Sequence, residues 1–132
     1  MWIKPIFDRT QSDITNNTDK GRLQFSDMNR IENNIQFIAD EIGITVNIET
    51  WARDKHLTKQ EWDRILDNIE IIKANWNIPN IPSNPEHPIN QFMKLNTIER
   101  IEFLIMNNII ATKDVFIRCG TEAYAGSVIG VI

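Results

Sequence analysis

A chain of 132 residues is long enough for one hydrophobic core and too short for two domains of ordinary size. Its 42% apolar and 24% charged residues exclude global disorder. A formal charge of -4 without a basic cluster excludes nucleic acid and anionic membrane surfaces as partners.

No apolar run approaches the roughly 20 residues that span a bilayer, and Met1-Trp2-Ile3-Lys4-Pro5 lacks the apolar centre of a signal peptide. A soluble protein made in the cytoplasm is therefore expected. Residues 1–25 read as an extended N-terminal arm ahead of a single helical α+β domain, 26–132. Within the arm, Thr10-Gln11-Ser12-Asp13 opens one short helical turn, since Thr10 can cap it and Asp13 suits its positive end. The arm's apolar residues Trp2, Ile3, Ile6 and Phe7 must lie against the domain or another chain. Trp2 is the strongest candidate for an anchor in a second subunit, because aromatic side chains dominate interface energetics.

Met28, Ile31, Ile35, Ile38 and Ile42 are spaced to share one helical stripe, which predicts a first amphipathic helix over 26–42. Gly43 supplies its stop. Ile44-Thr45-Val46-Asn47-Ile48-Glu49 alternates strictly and predicts a half-buried strand, 44–49. Thr58-Lys59-Gln60-Glu61 is a capping box opening a second helix, 58–76, with its stripe at Trp62, Ile65, Ile69, Ile72 and Trp76. Pro79, Pro82, Pro85 and Pro88 then impose a stiff connection over 77–92.

Asn96-Thr97-Ile98-Glu99 predicts the start of a third helix, 96–111, whose apolar face is Ile98, Ile101, Leu104, Ile105 and Ile109. Beyond Thr112 the chain reads as a strand at 115–119, a turn at Gly120-Thr121 and a strand at 122–131. The expected fold class is thus α+β, mainly α, with the short strands in a small antiparallel sheet. An open apolar edge invites pairing, which makes Tyr124, Val128 and Val131 interface candidates beside the arm residues.

The first two helices repeat one pattern at an offset of 34 residues: Arg30-Ile31-Glu32-Asn33-Asn34-Ile35 superposes on Arg64-Ile65-Leu66-Asp67-Asn68-Ile69. Asp27 and Glu61 each stand three positions before the arginine, where acid and base are helical neighbours. Asn34 and Asn68 lie by the apolar seam, placed to pair with each other or to bind a neighbouring backbone. Arg30, Asn34, Arg64 and Asn68 are therefore read as register-fixing residues.

Chemistry-bearing constellations do not emerge. His56 and His87 fall in loops without metal-ligand spacing, Asp54-Lys55-His56 reads as a solvated loop, and Asp63 and Asp67 as an exposed helix face. Cys119 cannot form an internal disulfide and reads as a buried thiol. The five glycines are scattered singly, so a phosphate-cradling loop is absent. Trp62 and Trp76 belong to a core stripe, and Trp51 is less determined. The expectation is a non-enzyme with no catalytic residue, cofactor or metal.

Several segments nevertheless form an ordered set: Phe7-Asp8-Arg9-Thr10-Gln11-Ser12-Asp13, then Asp27-Met28-Asn29-Arg30-Ile31-Glu32-Asn33-Asn34-Ile35, the Trp51 segment, Asp63-Arg64-Ile65 through Asn68, the proline-rich connection and Asn96-Thr97-Ile98-Glu99. The ending Glu122-Ala123-Tyr124-Ala125-Gly126 extends the set. In this order they resemble an N-terminal module of tail and baseplate-associated structural proteins of phages, prophages and phage-tail-like particles of Gram-positive bacteria. The resemblance covers most of the chain. It implies a homo-oligomeric virion structural protein that docks other tail, baseplate or fibre subunits through its arm and outer strands, made in the host cytoplasm and located in the tail. The alternatives are a small non-enzymatic protein-binding regulator or inhibitor and, third, a phage-associated wall hydrolase.

Overall fold

The computed structural model describes residues 2–18, 23–55, 57–89 and 91–126, with side chains through Lys113. Four helices follow one another there: α1 (Gln11–Thr15), α2 (Phe25–Ile42), α3 (Lys59–Asn75) and α4 (Phe92–Gly126). Local chemistry sets their ends. The Asp13 N–H donates to Thr10 Oγ1 at 3.3 Å while the Thr10 N–H donates to Asp13 Oδ2 at 2.9 Å, a reciprocal cap on α1. Gly43 ends α2 at φ 77°, a left-handed conformation that costs glycine little. At α3 the Glu61 N–H donates to Thr58 Oγ1 at 3.4 Å. The Glu61 carboxylate does not return to Thr58 but accepts from Arg64 Nη2 at 2.6 Å.

The three long helices run in the same direction, and α3 and α4 are each reached by an extended segment that travels back along the helix before it. Asn47 meets Asn68 and Trp51 meets Asn29, so 44–51 runs antiparallel to both α2 and α3. Lys73 Nζ donates to the Pro82 carbonyl at 2.8 Å, Asn84 Nδ2 to the Leu66 carbonyl at 3.1 Å, and His87 meets Asp63, which lays the proline-rich connection back along α3. Arg30 meets Glu99 at one end of the α2/α4 contact and Glu41 meets Lys113 at the other. Helix α2 is thus central, with α3 and α4 on its flanks.

The core lies between them. Ile31, Ile35, Ile38, Ile65, Ile69, Ile72, Ile98, Ile101, Ile105 and Ile109 are each no more than 1% exposed, so each of the three long helices buries the centre of the stripe that its spacing draws, with Ile42, Trp76 and Leu104 half-buried at its margins. Met28, Trp51 and Trp62 close one end. The Trp76 indole N–H donates to Asn108 Oδ1 at 2.8 Å, tying the end of α3 to α4.

No strand or sheet occurs among the described residues, which corrects the α+β expectation to a mainly helical fold without the small antiparallel sheet. The segment 44–49 is extended, and Ile44, Val46 and Ile48 pack against the core as the alternation requires. It lies between two helices, however, and its polar backbone groups are met by side chains instead of a second strand. Residues 115–119, the turn at Gly120-Thr121 and residues 122–126 all belong to α4; the remainder of the expected strand 122–131 lies outside the described residues. A β-branched run is a weak preference that an existing helix overrides, since adding a residue to a formed helix is far easier than nucleating one. Helix α4 also starts at Phe92, so Asn96 sits inside it and its side chain is free for other work.

Candidate functional site

The N-terminal arm lies in a groove between α2 and α4, held at three points of its backbone. The Ile3 N–H donates to Asn34 Oδ1 at 3.0 Å and Asn34 Nδ2 returns to the Ile3 carbonyl at 2.7 Å. The Ile6 N–H donates to Glu99 Oε1 at 3.1 Å. The Arg9 N–H donates to Asn96 Oδ1 at 3.2 Å, and Asn96 Nδ2 to the Arg9 carbonyl at 2.9 Å. Two asparagine amides therefore each grip one residue by both its backbone groups, as a neighbouring strand would.

Beneath the arm sits a buried ionic cluster. Arg9, 4% exposed, donates from Nη2 to Glu99 Oε2 at 2.7 Å. Arg30 donates to both Glu99 oxygens, from Nε at 2.6 Å and Nη2 at 2.9 Å, and to Asp27 Oδ1 at 2.7 Å. Burial works against the Arg30 charge, but the bonds and charges of Glu99 and Asp27 outweigh it, and its pKa stands above the ordinary value. Two arginines and two carboxylates balance, which is the condition for holding charge inside a protein.

The second extended segment is held by the same parts on α2 and α3. The Asn47 N–H donates to Asn68 Oδ1 at 3.4 Å and Asn68 Nδ2 to the Asn47 carbonyl at 2.7 Å. The Glu49 N–H donates to Glu32 Oε1 at 3.1 Å. The Trp51 N–H donates to Asn29 Oδ1 at 2.7 Å, and Asn29 Nδ2 to the Trp51 carbonyl at 3.0 Å. Glu32 also accepts from the Trp51 indole N–H and the Arg64 guanidinium, while Arg64 pairs with Glu61.

In each clamp one helix contributes arginine and asparagine four apart, Arg30 and Asn34 or Arg64 and Asn68. Its neighbour contributes Asn-x-Ile-Glu, Asn96 to Glu99 or Asn29 to Glu32. Helix α2 takes both parts. Replacing Asn34 or Asn68 by alanine is expected to cost about 1–3 kcal/mol each, because each buried amide makes two hydrogen bonds to backbone worth about 0.5–1.5 kcal/mol apiece, and urea unfolding measures the loss.

Compared with protein-family models, curated proteins and solved structures, the chain matches none. Its own geometry is therefore the guide. Among the described residues there is no cluster of three or more histidine, cysteine or acidic side chains able to hold a metal. No helix among them is long and apolar enough to cross a membrane. Asp63 meets His87 at 2.6 Å, and its carboxylate is held below its usual range by Lys59 first and by His87 as well. That pair pins the proline-rich connection to α3. A cleft of about 490 Å³ at the N-terminal end of α2 is floored by Met28 and Trp51 and rimmed by Leu23, Phe25, Arg53 and Lys55.

The four register residues Arg30, Asn34, Arg64 and Asn68 all come into the clamps, with the asparagines binding backbone and not each other. Of the arm residues, Trp2 packs on Phe37 of its own chain with ring centroids 6.1 Å apart, and Phe7 on Phe103 at 4.9 Å with Arg100 above it. Ile6 is half-buried and Ile3 is 44% exposed. Tyr124 lies on α4 where only backbone is described, and Val128 and Val131 fall outside the described residues. Asn29, Glu32, Asn96, Glu99 and the buried Arg9 were not singled out as site residues from sequence. Their signal is the recurrence of Asn-x-Ile-Glu, with an acid against an isoleucine stripe.

One buried acid stands outside both clamps. Glu102, 1% exposed, has no hydrogen-bond partner among the described residues for either carboxylate oxygen. Burial, and then the nearby charge of Glu99, push its pKa well above the carboxylate range, while Arg30 acts weakly the other way.

Proposed function

We propose that this protein is a structural component of a phage tail or baseplate, acting in assembly or fibre attachment as part of a homo-oligomer. One observation carries the reading. Three of the separate segments that resemble the tail and baseplate module meet in the arm clamp: Arg9 from Phe7–Asp13, Asp27 and Arg30 from Asp27–Ile35, and Asn96 and Glu99 from Asn96–Glu99. The shared residues thus maintain an architecture in which extended segments are seated in helical grooves. That is the business of an assembly part, whose surface must be shaped before it meets its neighbours.

The test is location. Antibody-gold labelling of purified particles is expected to decorate the tail, and disrupting the gene to yield particles lacking fibres or a complete baseplate. Particles that neither carry the protein nor change without it would overturn the proposal. The alternative of a protein-binding regulator draws on the cleft beside Phe25 and Trp51, whose rim carries Arg53 and Lys55. It gains if the protein is found only away from particles.

A further inference from the structure

We propose that the cleft at the N-terminal end of α2 docks an acidic segment of a partner protein, one that carries a large apolar side chain flanked by carboxylates. The cleft is separate from both clamps, and the inference holds whether the partner is met on a particle or away from one.

Shape and apolar surface come first. A cleft of about 490 Å³ has room for one large side chain and the backbone on either side of it. On its rim Leu23 is 41% and Phe25 39% exposed, above a floor of Met28 and Trp51. The Trp51 indole N–H is taken by Glu32, which fixes the ring that forms this floor. Exposed apolar side chains gathered at one concave place mark a contact surface, as scattered ones do not.

Charge then selects the occupant. Arg53 and Lys55 line the cleft and no acidic residue does, in a chain whose formal charge is -4. Lys55 lies 4.5 Å from the centre of the Trp51 ring and is paired with Glu49, which stands outside the cleft. Arg53 lies over the Phe25 ring at 6.0 Å and makes no hydrogen bond or ion pair among the described residues. Asp54, between the two cations in sequence, is exposed and does not line the cleft. A guanidinium over an aromatic ring still binds a carboxylate through its N–H edge. A basic segment would be repelled by both rim cations, and a wholly apolar one would cover Arg53 without giving it a partner.

The backbone beside the cleft is already engaged. Asn29 takes both backbone groups of Trp51, and the Lys55 N–H donates to the Ala52 carbonyl at 3.1 Å. The occupant is therefore read by its side chains, an apolar anchor against Phe25 and Trp51 and a carboxylate on Arg53, and not by strand addition.

The experiment selects a bead-displayed library of random peptides on the immobilised full chain. Winners are expected to carry one aromatic or large aliphatic residue with aspartate or glutamate beside it. Arg53→Glu and Phe25→Ala should each lower their recovery by about tenfold or more, whereas Lys113→Glu, the same charge change at the far end of α2, leaves it within about twofold. Arg53 and Phe25 both reach solvent, so the variants are expected to fold, which helical circular dichroism checks. Adding the best peptide should move the backbone amide resonances of Leu23, Phe25 and Arg53, and salt should weaken its binding. Basic or uncharged winners, no enrichment, or acidic winners indifferent to both Arg53→Glu and Phe25→Ala would overturn the proposal. So would a self-association that Arg53→Glu abolishes, since a second copy would then hold the cleft. Any of these failures leaves the tail reading to its own test of location, and absence from particles leaves this docking site standing.

Discussion

Replacing Glu99 by alanine is expected to lower the unfolding free energy by about 3–5 kcal/mol, the usual effect of stranding buried charge. Glu99 is fully buried and accepts from the Ile6 N–H, Arg9 Nη2, and Arg30 Nε and Nη2, at 3.1, 2.7, 2.6 and 2.9 Å. Its removal leaves two guanidinium groups facing Asp27 alone, which lies 2.7 Å from Arg30 and 3.7 Å from Arg9. Against a total stability of about 5–15 kcal/mol for a domain of this kind, such a loss frees the arm or unfolds the chain. Urea unfolding measures the size, and hydrogen exchange at Ile6 and Arg9 tells whether the arm opens first. Asp67→Ala, at an exposed position on α3, is the control and should change stability by no more than about 0.5 kcal/mol. A Glu99→Ala loss as small as the control's would mean that the cluster does not hold the arm.

Helix positions were legible in the sequence because an apolar stripe at helical spacing has one satisfactory arrangement. Ile31, Ile35 and Ile38, Ile65, Ile69 and Ile72, and Ile98, Ile101, Ile105 and Ile109 are all in the core. The alternation in 44–49 was legible as well, but only as a statement about faces. Ile44, Val46 and Ile48 do face the core, yet alternation is silent about what meets the backbone of an extended segment. Here the partners are Asn68, Glu32 and Asn29, side chains from two helices that sequence distance hides. At the other end, Val115-Phe116-Ile117 has the composition of a strand but continues a helix already formed from Phe92. Local preference there is worth only tenths of a kcal/mol per residue.

The site was half legible for a related reason. A repeat of Arg30 and Asn34 in Arg64 and Asn68 marks positions under a common constraint, and both pairs serve the same purpose. The complementary half, Asn29 with Glu32 and Asn96 with Glu99, resembled ordinary helix surface and helix cap. Two of its members, Glu32 and Glu99, are at most 1% exposed. An acid is buried in its charged form only when cations and donors converge on it, and for Glu32 and Glu99 those come from the arm and from neighbouring segments and helices. That convergence is a property of the packed chain, not of any one window of sequence.

Glu102 shows the opposite case, an acid buried without such convergence. Its carboxyl group lacks a hydrogen bond among the described residues, and Glu99 on the same helix face already engages Arg30 and Arg9. Burial therefore favours the neutral form in the folded protein, and its pKa stands well above 4.5. The unfolded chain releases this proton near the ordinary carboxylate value while the folded chain retains it. The Glu102 contribution to stability is thus fully present below that value and is lost as pH rises towards the folded pKa, by up to about 1.4 kcal/mol per pH unit. Glu102→Gln, neutral at every pH and nearly the same shape, is expected to flatten that decline. Glu102→Met should also raise stability at pH 7 by about 1–3 kcal/mol, since it removes an unsatisfied polar group while filling the same space. Urea unfolding from pH 4.5 to 8.5 separates the two effects. If wild type and Glu102→Gln follow the same pH curve, Glu102 is ionised in the folded protein and has found a partner.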